Sequence, residues 1–384
     1  MPADAKRRVA VLIESSRAYG RALIEGIGRY ARQQAQWTID FEPRGLEEGP
    51  PRWLRKWRGD GILVRVDHPA MAKAVMALGV PVIDLRGNLS VDGLPLIIVD
   101  NTAIGRLAYE HLADQGLKEF AFCGVPSALK LFSAERGEAF LAVAESHGRP
   151  CRIFEPRPRT TDREQDHAQL AAWLAELPKP VGILACFDDR AFELLELCRK
   201  LQLRVPEDVA VVGVDNDPVL CQMADPPLSS IDPDGNRVGY EAALRLDRWM
   251  QGDPPPQERL VIPPRGLIPR RSSDALAIDE PDIAEAIRYV RAHACEGMLV
   301  EEILQHLPIS RSMLERSFKK YLGRTPKAEI LRLQILRARE LLADRSLSLR
   351  DIARLTGFRS EKYFNDAFHR QTGERPGAFR RGLR

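Results

Sequence analysis

Between residues 7 and 271 the chain repeats one rhythm: a short apolar run, a turn, then a longer stretch whose apolar positions recur with the helical period. The pattern predicts strands at Arg8–Ile13, Gly61–Val66, Val80–Leu85, Leu96–Val99, Phe120–Cys123, Val181–Cys186 and Val209–Val214. It predicts helices between them, among them Tyr19–Gln34, Ala103–Gln115, Glu135–His147, Glu164–Leu177, Arg190–Leu201 and Asn236–Met250. Such alternation implies parallel sheets covered on both faces, and about 265 residues of it fill two lobes. Residues 252–281 break the rhythm with prolines at 254, 255, 256, 263, 264, 269 and 281. The expected organisation is therefore an α/β ligand and dimerisation domain over 1–271, a linker over 272–281 and an all-α domain over 282–384.

The helical end contains a repeat. Ser310, Leu314, Phe318, Gly323 and Pro326 recur fifty residues later as Ser360, Phe364, Phe368, Gly373 and Pro376. In each copy a short helix (Val300–Leu307; Leu349–Leu355) meets a tight turn at Pro308 or Gly357, then a helix opened by a serine suited to an N-cap. The order is helix-turn-helix. Apolar residues at i and i+4 pack inward. Ser312, Glu315, Arg316 and Lys319 in the first copy, and Glu361, Lys362, Asn365 and His369 in the second, then face outward. With Ser310, Arg311 and Ser360 they form the surface expected to meet the major groove of double-stranded DNA. Lys327–Ala343 between the copies reads as one long helix with Ile330, Leu333, Leu336, Leu341 and Leu342 on its apolar side.

Charge sharpens this division. Residues 282–384 hold 21 Lys and Arg against 13 Asp and Glu, whereas residues 1–281 hold 36 against 41. A basic end on a slightly acidic protein suits a polyanionic partner. With 44% apolar and 29% charged residues the chain is ordinary globular protein. No apolar run approaches a membrane span, and Val9–Ile13 is too short for a secretory leader, so the expected location is the cytoplasm, without a membrane partner. The six cysteines show no paired spacing and read as reduced, mostly buried thiols; no histidine spacing suggests zinc, and no metal or cofactor is expected. Gly26, Gly28 and Ala31 fit a dinucleotide fingerprint, but Gly26 lies thirteen residues past Ile13, inside a helix rather than in the strand-to-helix turn. No catalytic arrangement of Ser, His, Asp or Cys stands out, and the reading is of a protein that is not an enzyme.

Open α/β sheets bind ligands at the carboxyl ends of their strands. Candidates there are Ser15, Ser16 and Tyr19, then Asp67, Arg136, Asp188, and Asp215 with Asn216. Carboxylates accept from paired sugar hydroxyls, an arginine donates a fork, and Phe132 or Tyr19 can cover the apolar face of a sugar ring.

Two resemblances bear on these residues. The second half of the helical end, with Ile352, Ala353, Gly357, Phe358, Phe364, Phe368, Gly373 and Pro376, resembles the AraC-type DNA-binding domain. Pro308, Arg375 and Phe379 depart from the residues usual there. Residues 7–271, through Val99-Asp100-Asn101, Gly105, His111, Gly124, Glu135-Arg136, Val205-Pro206, Gly213 to Asn216 and Pro227 to Ile231, resemble the ligand-binding core of LacI-type regulators and type I periplasmic sugar-binding proteins. The likeness implies sugar contacts at Arg136, Asp188 and Asp215, with Phe187 in place of the usual asparagine. The two modules in this order, with Arg17-Ala18-Tyr19, Glu25-Gly26, Gly59-Asp60-Gly61, Ile268, Arg270-Arg271-Ser272 and His293-Ala294-Cys295, resemble bacterial pentose-responsive activators. That resemblance implies a homodimer, a D-xylose-like inducer, and action on RNA polymerase at operator DNA. A sugar-binding or sugar-converting protein whose basic end serves another polyanion, or forms a plain helical dimerisation bundle, is the alternative.

Overall fold

The architecture is that of a computed structural model describing residues 6–35, 37–45, 48–89, 91, 93–125, 131–154, 163–256, 259–274, 280–342 and 347–382. The chain divides into two compact units, Met1–Ala275 and Leu276–Arg384.

In chain order the first unit contains β1 (Arg8–Leu12), α1 (Ala18–Tyr30), β2 (Thr38–Phe41), β3 (Gly61–Val64), α2 (Pro69–Met76), β4 (Val82–Asp84), β5 (Leu96–Val99), α3 (Asn101–Asp114), β6 (Glu119–Cys123), α4 (Leu131–Ser146), β7 (Cys151–Phe154), α5 (Arg163–Glu176), β8 (Val181–Ala185), α6 (Asp188–Lys200), β9 (Val209–Val214), α7 (Pro218–Met223), β10 (Ser229–Asp232), α8 (Gly235–Met250), β11 (Arg259–Ile262) and β12 (Gly266–Ile268). One sheet runs β11-β5-β4-β3-β1-β2, parallel throughout. The other runs β12-β10-β9-β8-β6-β7, parallel except for β12 against β10. Each sheet is the middle of one lobe. The chain passes between lobes after β5, after β10 and between β11 and β12, so three strand ends converge where the lobes meet.

The central strands are apolar on both faces because helices cover both; every residue of β8 and β9 is buried. Five strands escape the apolar pattern. β2, β7 and β12 are at sheet edges and β11 ends the first sheet, where exposed positions are tolerated. β10 is central but carries two serines, whose burial is balanced by hydrogen bonds: Ser229 Oγ donates to the Arg270 carbonyl (2.8 Å) and Ser230 Oγ to Asp188 Oδ1 (2.6 Å).

Ser272 N–H donates to the Pro227 carbonyl (2.9 Å), and its hydroxyl donates to the Val211 carbonyl (2.7 Å). Ser273, also fully buried, donates to Ser229 Oγ at 2.7 Å. These two residues, assigned to the linker from sequence, are therefore packed in the ligand unit; residues 275–279 of that linker lie outside the described residues.

Gly26 is fixed by helix packing. A Cβ there would stand 2.0 Å from the Asn236 carbonyl oxygen, and one at Gly239 would stand 2.1 Å from that of Leu23. The two glycines let α1 and α8 approach backbone to backbone, which accounts for the glycine of the apparent nucleotide fingerprint.

The second unit comprises α9 (Pro281–His293), α10 (Val300–His306), α11 (Arg311–Leu322), α12 (Pro326–Leu341), α13 (Leu349–Leu355), α14 (Glu361–Thr372) and α15 (Pro376–Gly382). It has two cores, one around Ile287, Leu314 and Phe318, the other around Ile352, Phe364 and Phe368. Helix α12 serves both, giving Ile330 to the first and Ile335, Ala338 and Leu342 beyond it to the second. Its buried Gln334 donates to the Ala294 carbonyl at 3.0 Å.

Candidate functional site

A cleft lies between the lobes of the first unit. Glu14, Arg17, Tyr19, Arg65, Leu85, Arg86 and Ile98 line it from the first sheet's side, and Asn101, Phe132, Arg136, Phe187 and Asp215 from the second. Most follow strand ends or lie near helix starts, where crossovers leave side chains free to converge; Ile98 lies in β5 and Arg136 in the second turn of α4.

Arg136, 5% exposed, projects from α4. Its Nε donates to Asn101 Oδ1 (2.9 Å) and its Nη1 to the Cys186 carbonyl, with the guanidinium 5.0 Å from the Phe132 ring centre. Asp215, directly after β9, adopts φ +108°, which turns it out of the strand. Burial raises its carboxyl pKa to about 6, against the opposing pull of Arg136, Arg65 and Arg17. Burial raises the Tyr19 phenol to about 12, and its hydroxyl has no hydrogen-bond partner among the described residues. Arg65 forms a buried ion pair with Glu14 and lies 5.2 Å from the Tyr19 ring centre. Arg86, 8% exposed, donates from Nε to Asp67 Oδ1 (2.6 Å) and faces Phe132 across the cleft at 5.1 Å. Arg17 reaches over the Phe187 ring at 4.5 Å.

Of the residues singled out from sequence, the cleft brings together Tyr19, Phe132, Arg136 and Asp215. The other five, Ser15, Ser16, Asp67, Asp188 and Asn216, are not among its lining residues, and the Ser16 carbonyl accepts from Arg21. Ser15 bonds through its backbone to Arg44 and Arg21. Asp67 accepts from Arg86 and from Asn88 Nδ2 (2.7 Å). Asp188 accepts from Ser230 and from the Asp217 N–H (2.7 Å), and burial, then the nearby Asp215 charge, pushes its pKa well up. Asn216 Oδ1 accepts from Arg270 Nη2 at 2.8 Å. Asp188 thus holds the loop that presents Asp215.

Glu14, Arg65 and Arg86 were missed. Arg65 sits inside the apolar run Gly61–Val66 and reads as part of a strand, whereas β3 ends at Val64. A charged residue just past a buried parallel strand is the signal that would have found all three.

In the second unit, Ser310 Oγ accepts from the Met313 N–H and Ser360 Oγ from the Tyr363 N–H, each at 3.2 Å, capping α11 and α14 as expected. Gly323 (φ +68°) and Gly373 (φ +80°) close these helices in the left-handed conformation. Leu314, Phe318, Phe364 and Phe368 are fully buried. Ser310, Arg311, Ser312, Glu315, Arg316, Lys319, Ser360, Glu361, Lys362 and His369 are exposed, with Asn365 half-buried. Arg311 is engaged by Glu301 (3.1 Å) and Glu315 (3.3 Å), whereas Arg316 and Lys319 are in no ion pair among the described residues.

A two-lobed cleft with converging polar and aromatic groups, on the same chain as two capped helix-turn-helix units, defines a ligand-responsive DNA-binding transcription regulator. Family models agree: an XylR N-terminal domain matches residues 8–94, a periplasmic binding protein-like domain residues 109–273, and a helix-turn-helix domain residues 303–382. The chain is 33% identical to the xylose operon regulatory protein of Escherichia coli (strain K12), over 98% of this chain and 97% of that protein. It is 30% identical to the protein of that name from Haemophilus influenzae, over 97% and 98%. A solved structure of xylose-binding transcription activator xylR aligns with a TM-score of 0.70 and 31% identity over 98% of each chain. The chain belongs to the xylose operon regulatory protein family: it is a transcription regulator with a sugar-binding domain and an AraC-type DNA-binding domain, not an enzyme. Among the described residues no helix is long and apolar enough to cross a membrane.

Proposed function

We propose that this regulator responds to a pentose, D-xylose or a close relative, and activates pentose catabolic genes as a cytoplasmic homodimer that engages RNA polymerase. The observation that carries the reading is the near end-to-end likeness to xylose operon regulatory proteins, together with a cleft lined by polar and aromatic side chains of the kind that bind sugars. In the cleft, Arg136 donates a fork to adjacent hydroxyls, Asp215 accepts from them, and Phe132 or Tyr19 covers the ring's apolar face. Asp188, Asn216, Asp67 and Ser15 act by shaping the loops around them. The ligand favours the lobe arrangement it binds best, and that shift changes how α11 and α14 engage operator DNA.

Isothermal titration of the purified protein with D-xylose, L-arabinose, D-ribose and D-glucose tests the ligand. Heat with a pentose supports the reading, and silence with all four overturns the inducer. Gel shifts at several salt concentrations test the DNA end, where steep salt dependence with sequence preference is expected. Arg316→Ala is expected to weaken specific binding by about 1–3 kcal/mol through loss of a base contact. Unchanged discrimination between operator and scrambled duplex would remove Arg316 from the reading surface.

A further inference from the structure

The fifty-residue repeat sets Asp366 of α14 where α11 has Arg316, and Tyr363 where α11 has Met313. Both helices bury the same row, Leu314 with Phe318 in α11 and Phe364 with Phe368 in α14. At about 3.6 residues per turn, the side chains farthest from that row are Ser312, Arg316 and Lys319 in α11, and Lys362, Asp366 and His369 in α14. All six are exposed. The centre of the outward face is therefore cationic in the first copy and carries a carboxylate in the second.

The Asp366 carboxylate takes part in no ion pair or hydrogen bond among the described residues; Arg370 Nε reaches only its backbone carbonyl, at 3.4 Å. Tyr363, in the first turn of α14, is 46% exposed, whereas its counterpart Met313 packs against the first core. Phe358 supports the Tyr363 ring, with ring centres 6.0 Å apart. A carboxylate turned toward DNA is repelled by the phosphates, and the major groove offers it few donors. Guanine presents N7 and O6 and thymine presents O4, all acceptors, and adenine sets its N6 amine beside the N7 acceptor. Cytosine presents its N4 amine alone. An aromatic ring at the start of the helix suits the thymine methyl group, the apolar feature of that groove.

We infer that the two helix-turn-helix units read opposite base chemistry: Arg316 of α11 takes guanine, whereas Asp366 of α14 takes cytosine N4 and Tyr363 the methyl group of a neighbouring thymine. The inference rests on α14 meeting the major groove and specifies which bases it selects there. Asp366 supplies discrimination more than affinity, because guanine and thymine repel it. Lys362, one turn back on the same row, supplies attraction to the phosphates.

The test is selection of duplexes from a randomised pool by the full-length protein, at low salt with and without D-xylose, for the wild type and three variants of exposed side chains. The wild type is expected to enrich sites with a guanine in one half and a cytosine beside a thymine in the other, about one helical turn away. Asp366→Asn is expected to switch that cytosine to adenine, whose N6 and N7 an amide reads, changing the relative affinity about tenfold and leaving the guanine half as it was. Tyr363→Ala is expected to erase the thymine preference alone. Lys362→Ala is expected to weaken binding to every duplex alike and to flatten its salt dependence. A wild-type site without that cytosine, or an Asp366→Asn site that keeps it, would overturn the inference. A uniform loss of affinity with Tyr363→Ala would place the ring on the backbone and overturn the thymine assignment. If Lys362→Ala still weakens binding in those cases, α14 stays on DNA and only the inference falls. Three variants that bind and select as the wild type does would remove α14 from DNA and the inference with it.

Discussion

The two lobes face each other across the cleft with different chemistry. The lobe built on β1, β3 and β4 presents charge: Glu14, Arg17, Arg65 and Arg86, with Tyr19 as its one ring. The lobe built on β6, β8 and β9 presents two phenylalanines, one arginine, one amide and one carboxylate. Cations of the first lobe already lie on rings of the second, Arg17 on Phe187 and Arg86 on Phe132. One wall is thus mainly charged and the other mainly aromatic, and both face the same cleft.

The supports differ as well. Arg86 stands on a loop pinned by the buried Asp84 carboxylate, which accepts from the N–H groups of Val66 (2.9 Å), Arg86 (3.0 Å) and Gly87 (3.0 Å). Asp215 stands on a loop pinned by Asp188 and Ser230. Each wall is held by one buried carboxylate, Asp84 or Asp188, through hydrogen bonds to its own loop.

The largest effect is expected at Arg136, which serves both ligand and lobe. Arg136→Ala strips the Cys186 carbonyl and the Asn101 amide of a charged donor in a buried setting. We expect loss of the ligand response and about 2–3 kcal/mol less stability in urea unfolding. An unchanged midpoint would show that the aromatic wall does not depend on its arginine.

Asp215 gives ligand binding a pH dependence. Its folded value of about 6 lies above the ordinary 3.8, so in the ligand-free domain its ionisation costs stability as pH rises through that window. The charged groups facing it are Arg136, Arg65, Arg17 and Asp189. A neutral sugar donating to the carboxylate binds best above pH 6 and weakens below it. Titrations at pH 5, 6 and 7 read the sign, and Asp215→Asn is expected to flatten the trend.

The helix-turn-helix face was legible because its logic is local. Phe364 and Phe368 lie one turn apart on α14, Ser360 caps it, and whatever is left points outward. The alternation of strands and helices was equally plain where strands are central and apolar. The cleft was only half legible. Tyr19 and Arg136 sit beside recognisable strand ends or helix starts, but whether a side chain there faces ligand or loop is settled by three interlobe crossings that no local period records. Asp188 and Asn216 have the right chemistry for a sugar, yet Ser230 and Arg270, distant in sequence, claim them. Arg65 was hidden by its own neighbours, an arginine between two valines read as strand.

The smallest effect is expected where the lobes touch at the surface. Arg21 of α1 reaches Asp217, the cap of α7, at 3.2 Å, with 47% of the arginine side chain exposed. Arg259 of β11 reaches Glu135 of α4 at 2.7 Å, with 54% exposed. Solvent screens both, so each contributes well under about 1 kcal/mol to the lobe arrangement they bridge. Ligand bound between the lobes competes with neither pair directly. Arg21→Gln should therefore shift ligand affinity by no more than about threefold in low salt, the shift vanishing near 0.5 M salt as screening removes what the pair supplied. A larger or salt-independent loss would mean that the surface pair, and not the buried walls, governs the meeting of the lobes.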